Sequence, residues 1–181
     1  MLPSAQTLLD RPYQPHHLSH IGELTVMAFF MRPGGDMAVV LPRLGALRQF
    51  QAVQGRVRPG ELPYDAGLRE IKEEIGMAPR RFSYDPSVSL GVYHSKLKNK
   101  VVLGLFYFCD RPVATPRLNP QEVKEFRWVG NYYALPNLMR DCSADKTAMT
   151  IMFLSAAAER VHDFKSRWGN PPVGWSQPER H

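Results

Sequence analysis

The sequence contains little cysteine and no long apolar run. Its two cysteines, Cys109 and Cys142, form no metal-spaced cluster and are too few for a disulfide framework. We therefore expect a reducing compartment, first the cytoplasm, with the mitochondrion as the alternative. The best apolar run, Val101–Cys109, is the length of a strand and far below the roughly 20 residues of a membrane-spanning helix. The N-terminus also lacks the basic-then-apolar layout of a secretory signal, so the sequence predicts no membrane association.

The overall composition is typical of a globular protein. Apolar types make up 44% and charged types 22% of the 181 residues, which favours one packed domain and excludes global disorder. Lys and Arg number 23 against 17 Asp and Glu, so the formal net charge is +6. This balance favours anionic partners such as nucleotides, other phosphates or nucleic acid, without choosing among them.

The distribution of proline divides the chain into three parts. Residues 1–22 carry three prolines followed closely by three histidines, which predicts an extended, solvated lead-in. Residues 23–165 hold the periodic segments and form the predicted domain. Residues 166–181 contain three prolines and two tryptophans and are predicted to be a tail. No internal repeat is visible.

Within the predicted domain, strand-type segments flank a short helical one. Glu23–Met31 and Met37–Leu41 bracket a Pro-Gly-Gly turn and predict a β-hairpin. Further predicted strands are Arg48–Gln54, Ser87–Tyr93, Lys100–Cys109 and Glu125–Val129, the predicted helices are Pro63–Ile75 and Ala144–Lys165, and the predicted glycine-bearing loop is Val53–Gly60. Strands on both sides of a helix, closed by a longer helix, predict an α/β sandwich with a mixed sheet.

Chemistry is concentrated in the predicted helix Pro63–Ile75. Helical spacing of three and four residues places Glu70, Glu73 and Glu74 on one face, with Arg69 within ion-pair reach of Glu73. Three like charges repel one another at this spacing, whereas a hard cation such as Mg²⁺ prefers carboxylate oxygens and bridges them to substrate phosphates. The alternative is a solvated acidic face without a ligand. The preceding loop brings the backbone close, and the carbonyl of Gly55 is an additional candidate ligand.

The wider pattern favours the cation site over the solvated face. The pattern has seven positions with a fixed residue type and two positions that must be apolar. In order, these positions are Gly55, Glu61, Arg69-Glu70-Ile71, Glu73-Glu74 and Gly76-Met77. A chance match to it has a probability on the order of 10⁻⁷ at average composition. The pattern resembles the complete signature of the Nudix hydrolases. That resemblance implies an α/β/α sandwich with a mixed sheet, and a loop–helix–loop that binds divalent metal and cleaves a diphosphate linkage in nucleoside-diphosphate-linked substrates.

Roles for individual residues follow from the resemblance. Glu70, Glu73 and Glu74 would bind Mg²⁺ or Mn²⁺, and one carboxylate would activate water. Glu61 and Arg69 would hold the loop to the helix. The catalytic candidates are therefore Glu73, Glu74 and Glu122. Glu122 is included because the segment Glu122-x-x-x-Phe126-Arg127-Trp128-Val129 is similar to one in RNA and diadenosine polyphosphate pyrophosphohydrolases, and Glu125 is the second choice.

Candidate substrate-binding residues lie outside the signature. Gln51 belongs to a Phe-Gln-x-Val-x-Gly segment similar to dihydroneopterin triphosphate, diadenosine polyphosphate and RNA pyrophosphohydrolases. Tyr93 resembles a tyrosine typical of diadenosine polyphosphate hydrolases. Arg43 ends the predicted hairpin and is either a phosphate contact or a surface charge. Lys96 and Lys98 alternate along the chain and, if the segment is extended, belong to a cationic row on one face. Such a row either steers polyphosphate towards the site or protects a sheet edge from association.

Two functions of different classes remain open at this point. The first is a Mg²⁺- or Mn²⁺-dependent pyrophosphohydrolase acting on dinucleoside polyphosphates or RNA 5′-triphosphate ends, then on dihydroneopterin triphosphate or similar nucleotides. The second is a nucleotide- or RNA-binding subunit of a larger assembly with little hydrolysis. The sequence does not define the oligomeric state, for which a homodimer is one candidate.

Overall fold

A computed structural model describes residues 4–18, 22–32, 36–43, 50–83, 89–95, 98–109, 115–130, 148–149, 151–157 and 159–160. The helices and strands within these residues are α1 (Ala5–Leu9), β1 (Glu23–Met31), β2 (Met37–Pro42), β3 (Val53–Arg56), α2 (Pro63–Ile75), β4 (Phe82–Ser83), β5 (Ser89–Ser95), β6 (Lys100–Cys109) and β7 (Val123–Val129). Short 3-10 helices occupy Pro15–Leu18 and Pro79–Arg81. Residues 148–149, 151–157 and 159–160 are helical and are called α3 below. No helix in the described part of the chain is long and apolar enough to span a bilayer.

The strands form one mixed sheet in the order β4-β6-β1-β2-β7, with β3 paired to β1 and β5 paired to β6. Its central pair, β1 and β6, is parallel over its whole length, whereas the other pairs are antiparallel. Both strands are buried almost throughout, because helices cover both faces of this part of the sheet. The predicted bounds of β1 and β6 are confirmed.

Helices pack on both faces of the sheet and give the predicted α/β/α sandwich. One core cluster joins the sheet to α2 through Ala66, Ile71 and Ile75. The other joins the opposite face to α3 through Met149, Phe153 and Ala157. The mixed-sheet fold expected from the sequence is therefore confirmed.

Helix α2 has the predicted limits. Pro63 stands at its start, where its missing amide is not needed. Gly76 ends the helix in the left-handed conformation at φ 68°, and its amide donates to the carbonyl of Lys72 at 3.0 Å. This fixes the position of the acidic face relative to the sheet.

Two local expectations are wrong. The glycine-bearing loop predicted over Val53–Gly60 begins later, because Gly55 and Arg56 continue the strand that is predicted to end at Gln54 and form β3 on the edge of β1, paired from Thr25↔Arg56 to Ala28↔Val53. The predicted strand Arg48–Gln54 is reduced, among its described residues, to a bridge between Gln51 and Val40 and the start of β3.

The lead-in is not simply extended. Ser4 caps the short helix α1 through its hydroxyl, and Leu8, Leu9 and Tyr13 are buried in the core cluster that includes α2. The prolines indicated an extended chain, but burial of these apolar side chains stabilises a short helix against the domain. The predicted domain limits remain predictions.

Candidate active site

The acidic face of α2 lies against β3. Ile71 and Ile75 are fully buried on the core side of the helix, so Glu70, Glu73 and Glu74 project elsewhere. The side chain of Glu70 passes directly over Gly55, where an added Cβ would lie 1.9 Å from the Glu70 carboxyl carbon. Gly55 is therefore required for the close approach of strand and helix.

Arg69 links the loop to the helix, as the sequence predicts. Its Nε donates to Glu61 Oε1 at 2.7 Å and its Nη2 to Glu61 Oε2 at 3.0 Å, a bidentate pair. Its Nη1 donates to Glu70 and, at 3.1 Å, to Glu73 Oε2. Burial alone would raise the pKa of Glu61, but the hydrogen bonds from Arg69 and from the Arg58 amide outweigh burial and lower it. Glu61 is thus held ionised as the partner of Arg69.

The surroundings of Glu74 and Glu70 disfavour the charged form of both carboxyls. Burial raises the pKa of Glu74 to about 8, and the negative charges of Glu70 and Glu122 add to this effect, against a hydrogen bond from the Gln54 backbone. Burial also raises the pKa of Glu70, with Glu73 and Glu122 adding to it, although Arg69 opposes the shift. Carboxyls in this state are stabilised as anions by a nearby cation.

Of Glu122 and Glu125, Glu122 is the one whose charge reaches this cluster. The charge of Glu122 acts on both Glu70 and Glu74, and its backbone carbonyl accepts from the Arg43 amide at 2.7 Å. Glu125 forms an ion pair with Arg127 on β7 instead. Of the two sequence candidates for the additional acid, the structure brings Glu122 to the site.

The donor set suits a hard divalent cation. Among the described residues, no three His, Cys, Asp or Glu side chains are arranged at metal-site spacing. Arg69 pairs with Glu70 and Glu73, and Arg58 pairs with Glu73 at 3.3 Å. The carboxylate oxygens are nevertheless the ligands that Mg²⁺ and Mn²⁺ take. The residues present fit such an ion.

The family model for the NUDIX domain matches residues 23–138 of the chain. The chain belongs to the Nudix family. As a member of this family it is a hydrolase acting on phosphoric anhydrides. No curated protein matches the sequence significantly.

Solved structures of other proteins share the Nudix fold of this chain. A C. elegans Ap4A hydrolase is 18% identical, with 78% of this chain and 99% of that chain covered and a TM-score of 0.62. A MutT protein from Methanosarcina mazei Go1 is 19% identical, with coverages of 84% and 98% and a TM-score of 0.55. DR0079 from Deinococcus radiodurans is 19% identical, with coverages of 71% and 81% and a TM-score of 0.55. At these identities the likeness establishes the fold.

The predicted substrate-binding residues are spread over the Nudix domain. Arg43 is exposed beside the backbone of Glu122, and Gln51 is buried and bridged to Val40. Tyr93 packs on the face of the sheet that α3 covers, opposite to α2. Of these three, only Arg43 is brought next to a member of the acidic cluster by a described contact, and all three roles stay predictions.

The predicted cationic row requires an extended segment, and the chain is not extended at Lys98, whose substrate-binding role stays a prediction. Strand β5 ends at Ser95, and Lys98 and Asn99 form a turn in which Asn99 has φ 45°, so the row does not continue along one extended face. Strands β6 and β1 lie between β5 and the strand that carries Gly55. Lys96 lies outside the described residues.

Sequence reasoning missed two contributors to the Nudix site. Arg58, which occupies a variable position of the signature, contacts Glu73 and donates its amide to Glu61 at 2.9 Å. Gln54 supplies the backbone hydrogen bond to Glu74. Neither residue could be identified as part of the site from the sequence. Arg58 has the character of an ordinary surface cation, and Gln54 acts only through its main chain.

Proposed function

We propose that this Nudix hydrolase is a Mg²⁺- or Mn²⁺-dependent pyrophosphohydrolase that cleaves the diphosphate linkage of nucleoside-diphosphate-linked substrates. One observation carries the proposal: Glu70 passes directly over Gly55 of β3, Glu74 is partly buried beside it, and the negative charges of Glu70 and Glu122 add to the burial that raises the pKa of Glu74. Like charges gathered and partly desolvated in this way are costly without a bound cation. The arrangement is therefore suited to hold one.

In this proposal Glu70, Glu73 and Glu74 bind the cation. When bound, the ion would polarise a phosphoryl oxygen and lower the pKa of water. Arg69, anchored by Glu61, donates to both Glu70 and Glu73 and so holds these two carboxylates near each other. Glu122 is exposed at the edge of the cluster and is the residue we assign to accept the proton of the attacking water. The carbonyl of Gly55 is a further proposed ligand.

Dinucleoside polyphosphates and RNA 5′-triphosphate ends are the substrates we place first. The fold is shared with an Ap4A hydrolase, and the net charge of +6 favours polyanions. Arg43 is exposed beside Glu122 and is the residue we assign to contact a phosphate of the substrate. Dihydroneopterin triphosphate and similar nucleotides form the second group.

A phosphate-release screen tests the proposal. Dinucleoside polyphosphates, nucleoside triphosphates, sugar nucleotides and triphosphorylated RNA are incubated with wild type and Glu74→Gln, with Mg²⁺ or EDTA. We expect Mg²⁺-dependent turnover of at least one substrate, reduced roughly 10²-fold or more in Glu74→Gln through loss of a ligand. Glu125→Gln is the matched control, since Glu125 pairs with Arg127, and it retains wild-type turnover. Activity that persists in EDTA, or an unchanged rate in Glu74→Gln, contradicts the proposal.

A further inference from the structure

The segment before the Nudix match packs into the same core as α2. Leu8, Leu9 and Tyr13 are 5%, 8% and 7% exposed, and α1 contacts both α2 and β5. The family match begins at residue 23, so these contacts are made by residues that the family pattern does not include. They bring the N-terminal segment beside the loop that precedes α2.

Tyr13 forms a reciprocal backbone pair with that loop. Its amide donates to the carbonyl of Glu61 at 2.8 Å, and its carbonyl accepts from the amide of Gly60 at 2.8 Å. Gly60 is in the left-handed conformation at φ 82°, and the amide of Glu61 donates to the carbonyl of Arg58 at 3.0 Å. The two bonds to Tyr13 therefore hold the outer side of the tight turn from which Glu61 projects.

The contacts continue from this turn to the acidic face. The carboxylate of Glu61 accepts from Arg69 through both oxygens, and Arg69 in turn donates to Glu70 and Glu73. The path from Tyr13 to the carboxylates of α2 thus consists of direct hydrogen bonds at every step. A shift of the turn would move the anchor of Arg69.

We propose that Tyr13, through its main chain, is a positioning residue for Glu61 and thereby for the Arg69-held carboxylates of α2. The N-terminal segment is then part of the scaffold of the site. The cation measurement below rests on the proposed function, whereas the amide-exchange measurement does not.

Three full-length variants separate this role from simple packing. Tyr13→Pro removes the amide donor, Tyr13→Phe retains both backbone bonds and the ring, and Leu8→Ala removes buried volume from the same segment without touching the pair. Each is compared with wild type by thermal melting, by amide exchange of the Arg58–Glu61 turn and by calorimetric titration with Mn²⁺.

We expect Tyr13→Pro to speed exchange of the turn and to weaken Mn²⁺ binding by about three- to tenfold, less than the 10–100-fold typical of residues that touch metal ligands directly. Tyr13→Phe retains wild-type values of both, and Leu8→Ala melts at lower temperature but binds Mn²⁺ within about twofold of wild type. Wild-type exchange and affinity in Tyr13→Pro, or an equal loss of affinity in Leu8→Ala, overturns the proposal.

Wild type alone provides a second test if Tyr13→Pro does not fold. Coupling is reciprocal, so saturating Mg²⁺ should slow exchange of the Tyr13 and Gly60 amides by about threefold or more. Exchange at both amides that is unchanged by bound Mg²⁺ overturns the inference. A wild type that binds neither ion contradicts the proposed function instead, and faster turn exchange in Tyr13→Pro would still support the positioning role.

Discussion

Two glycines show how single residues set the distance between α2 and its neighbours. Gly55 leaves room for the Glu70 side chain, and Gly67 leaves room for the hydroxyl of Tyr107, which an added Cβ would approach to 2.1 Å. That hydroxyl donates to the carbonyl of Tyr64 at 2.8 Å. A glycine inside a helix costs about 1 kcal/mol in propensity, and the close contact explains why Gly67 is kept there.

Gly67→Ala is accordingly expected to destabilise the protein despite the better helix propensity of alanine. The collision with Tyr107 strains the helix–sheet contact and weakens its hydrogen bond, so we expect a net loss of about 1–3 kcal/mol in the free energy of unfolding. Denaturant titration measures it. Adding Tyr107→Phe removes the nearest atom and should recover part of the loss. A Gly67→Ala protein more stable than wild type would show that the contact relaxes freely.

Arg58 also acts locally, through its contact with the carboxylate of Glu73. Its guanidinium lies 3.3 Å from Glu73 and is largely exposed, so it competes with any cation for that carboxylate. We expect Arg58→Ala to bind Mn²⁺ about two- to threefold more tightly at low salt, with the gain reduced at high salt. Arg56→Ala is the control, because Arg56 pairs with Glu23 instead. Weaker Mn²⁺ binding in Arg58→Ala would indicate that Arg58 supports Glu73 rather than competing for it.

At the scale of elements, the sequence predicted α2, β1 and β6 with correct limits because each has strong internal signals. Pro63 and Gly76 mark the ends of α2, and the two strands are rich in apolar and strand-forming residues. It missed α1 and the second half of β3, because the prolines and Gly55 are local signals whereas these segments are stabilised by burial of Leu8 and Leu9 and by pairing with β1. Tertiary contacts outweighed local propensity in both.

The contacts within the site were predictable for residues of the signature and not for residues on other strands. Arg69 makes the contact with Glu73 that helical spacing predicts and the contact with Glu61 that the family resemblance implies. Residues expected on other elements could not be placed, because spacing along the chain does not reveal strand order: Tyr93 lies on the opposite face of the sheet, and a turn interrupts the row at Lys98. The contacts of Arg58 and Tyr13 depend on the turn at Gly60.

The loop–helix joint formed by Glu61 and Arg69 gives a defined pH dependence. The pKa of Glu61 is lowered in the folded protein from an ordinary value of 4.5, so its contribution is fully present above about pH 4.5 and is lost as the pH falls through the folded value. We expect Glu61→Gln to lower the free energy of unfolding by about 1–3 kcal/mol at pH 7. The difference from wild type should shrink below pH 4.5. Parallel denaturant titrations from pH 3 to 7 measure it, and a difference independent of pH would exclude the ion pair as its source.

At the scale of the whole molecule, the acidic site and the packing of α3 lie on opposite faces of one sheet. Phe153 of α3 is fully buried, packs edge-to-face on Phe29 at 6.2 Å and fills the space over Gly104, where a Cβ would lie 2.5 Å from its ring. In the described part of the chain, the core cluster around this layer includes no residue of α2. Stability and cation binding should therefore be separable.

Phe153→Ala tests that separation. We expect it to lower the free energy of unfolding by about 3–5 kcal/mol, as for other buried phenylalanines, while Mn²⁺ affinity of the folded protein stays within about twofold of wild type. Its neighbour Met152 is 37% exposed, so Met152→Ala should cost less than about 1 kcal/mol. A large loss of Mn²⁺ affinity in folded Phe153→Ala would mean that the two faces are coupled through the sheet.

The parallel pairing of β1 with β6 also governs how the chain can assemble. Glu23 lies opposite Lys100 and Met31 opposite Phe108, so the middle of the sheet joins segments that are far apart along the polypeptide. Closing so long a loop is entropically slow, and during synthesis one edge of β1 stays without its partner until β6 leaves the ribosome. The nascent protein therefore has a period of exposed strand edge in which it is most prone to aggregate.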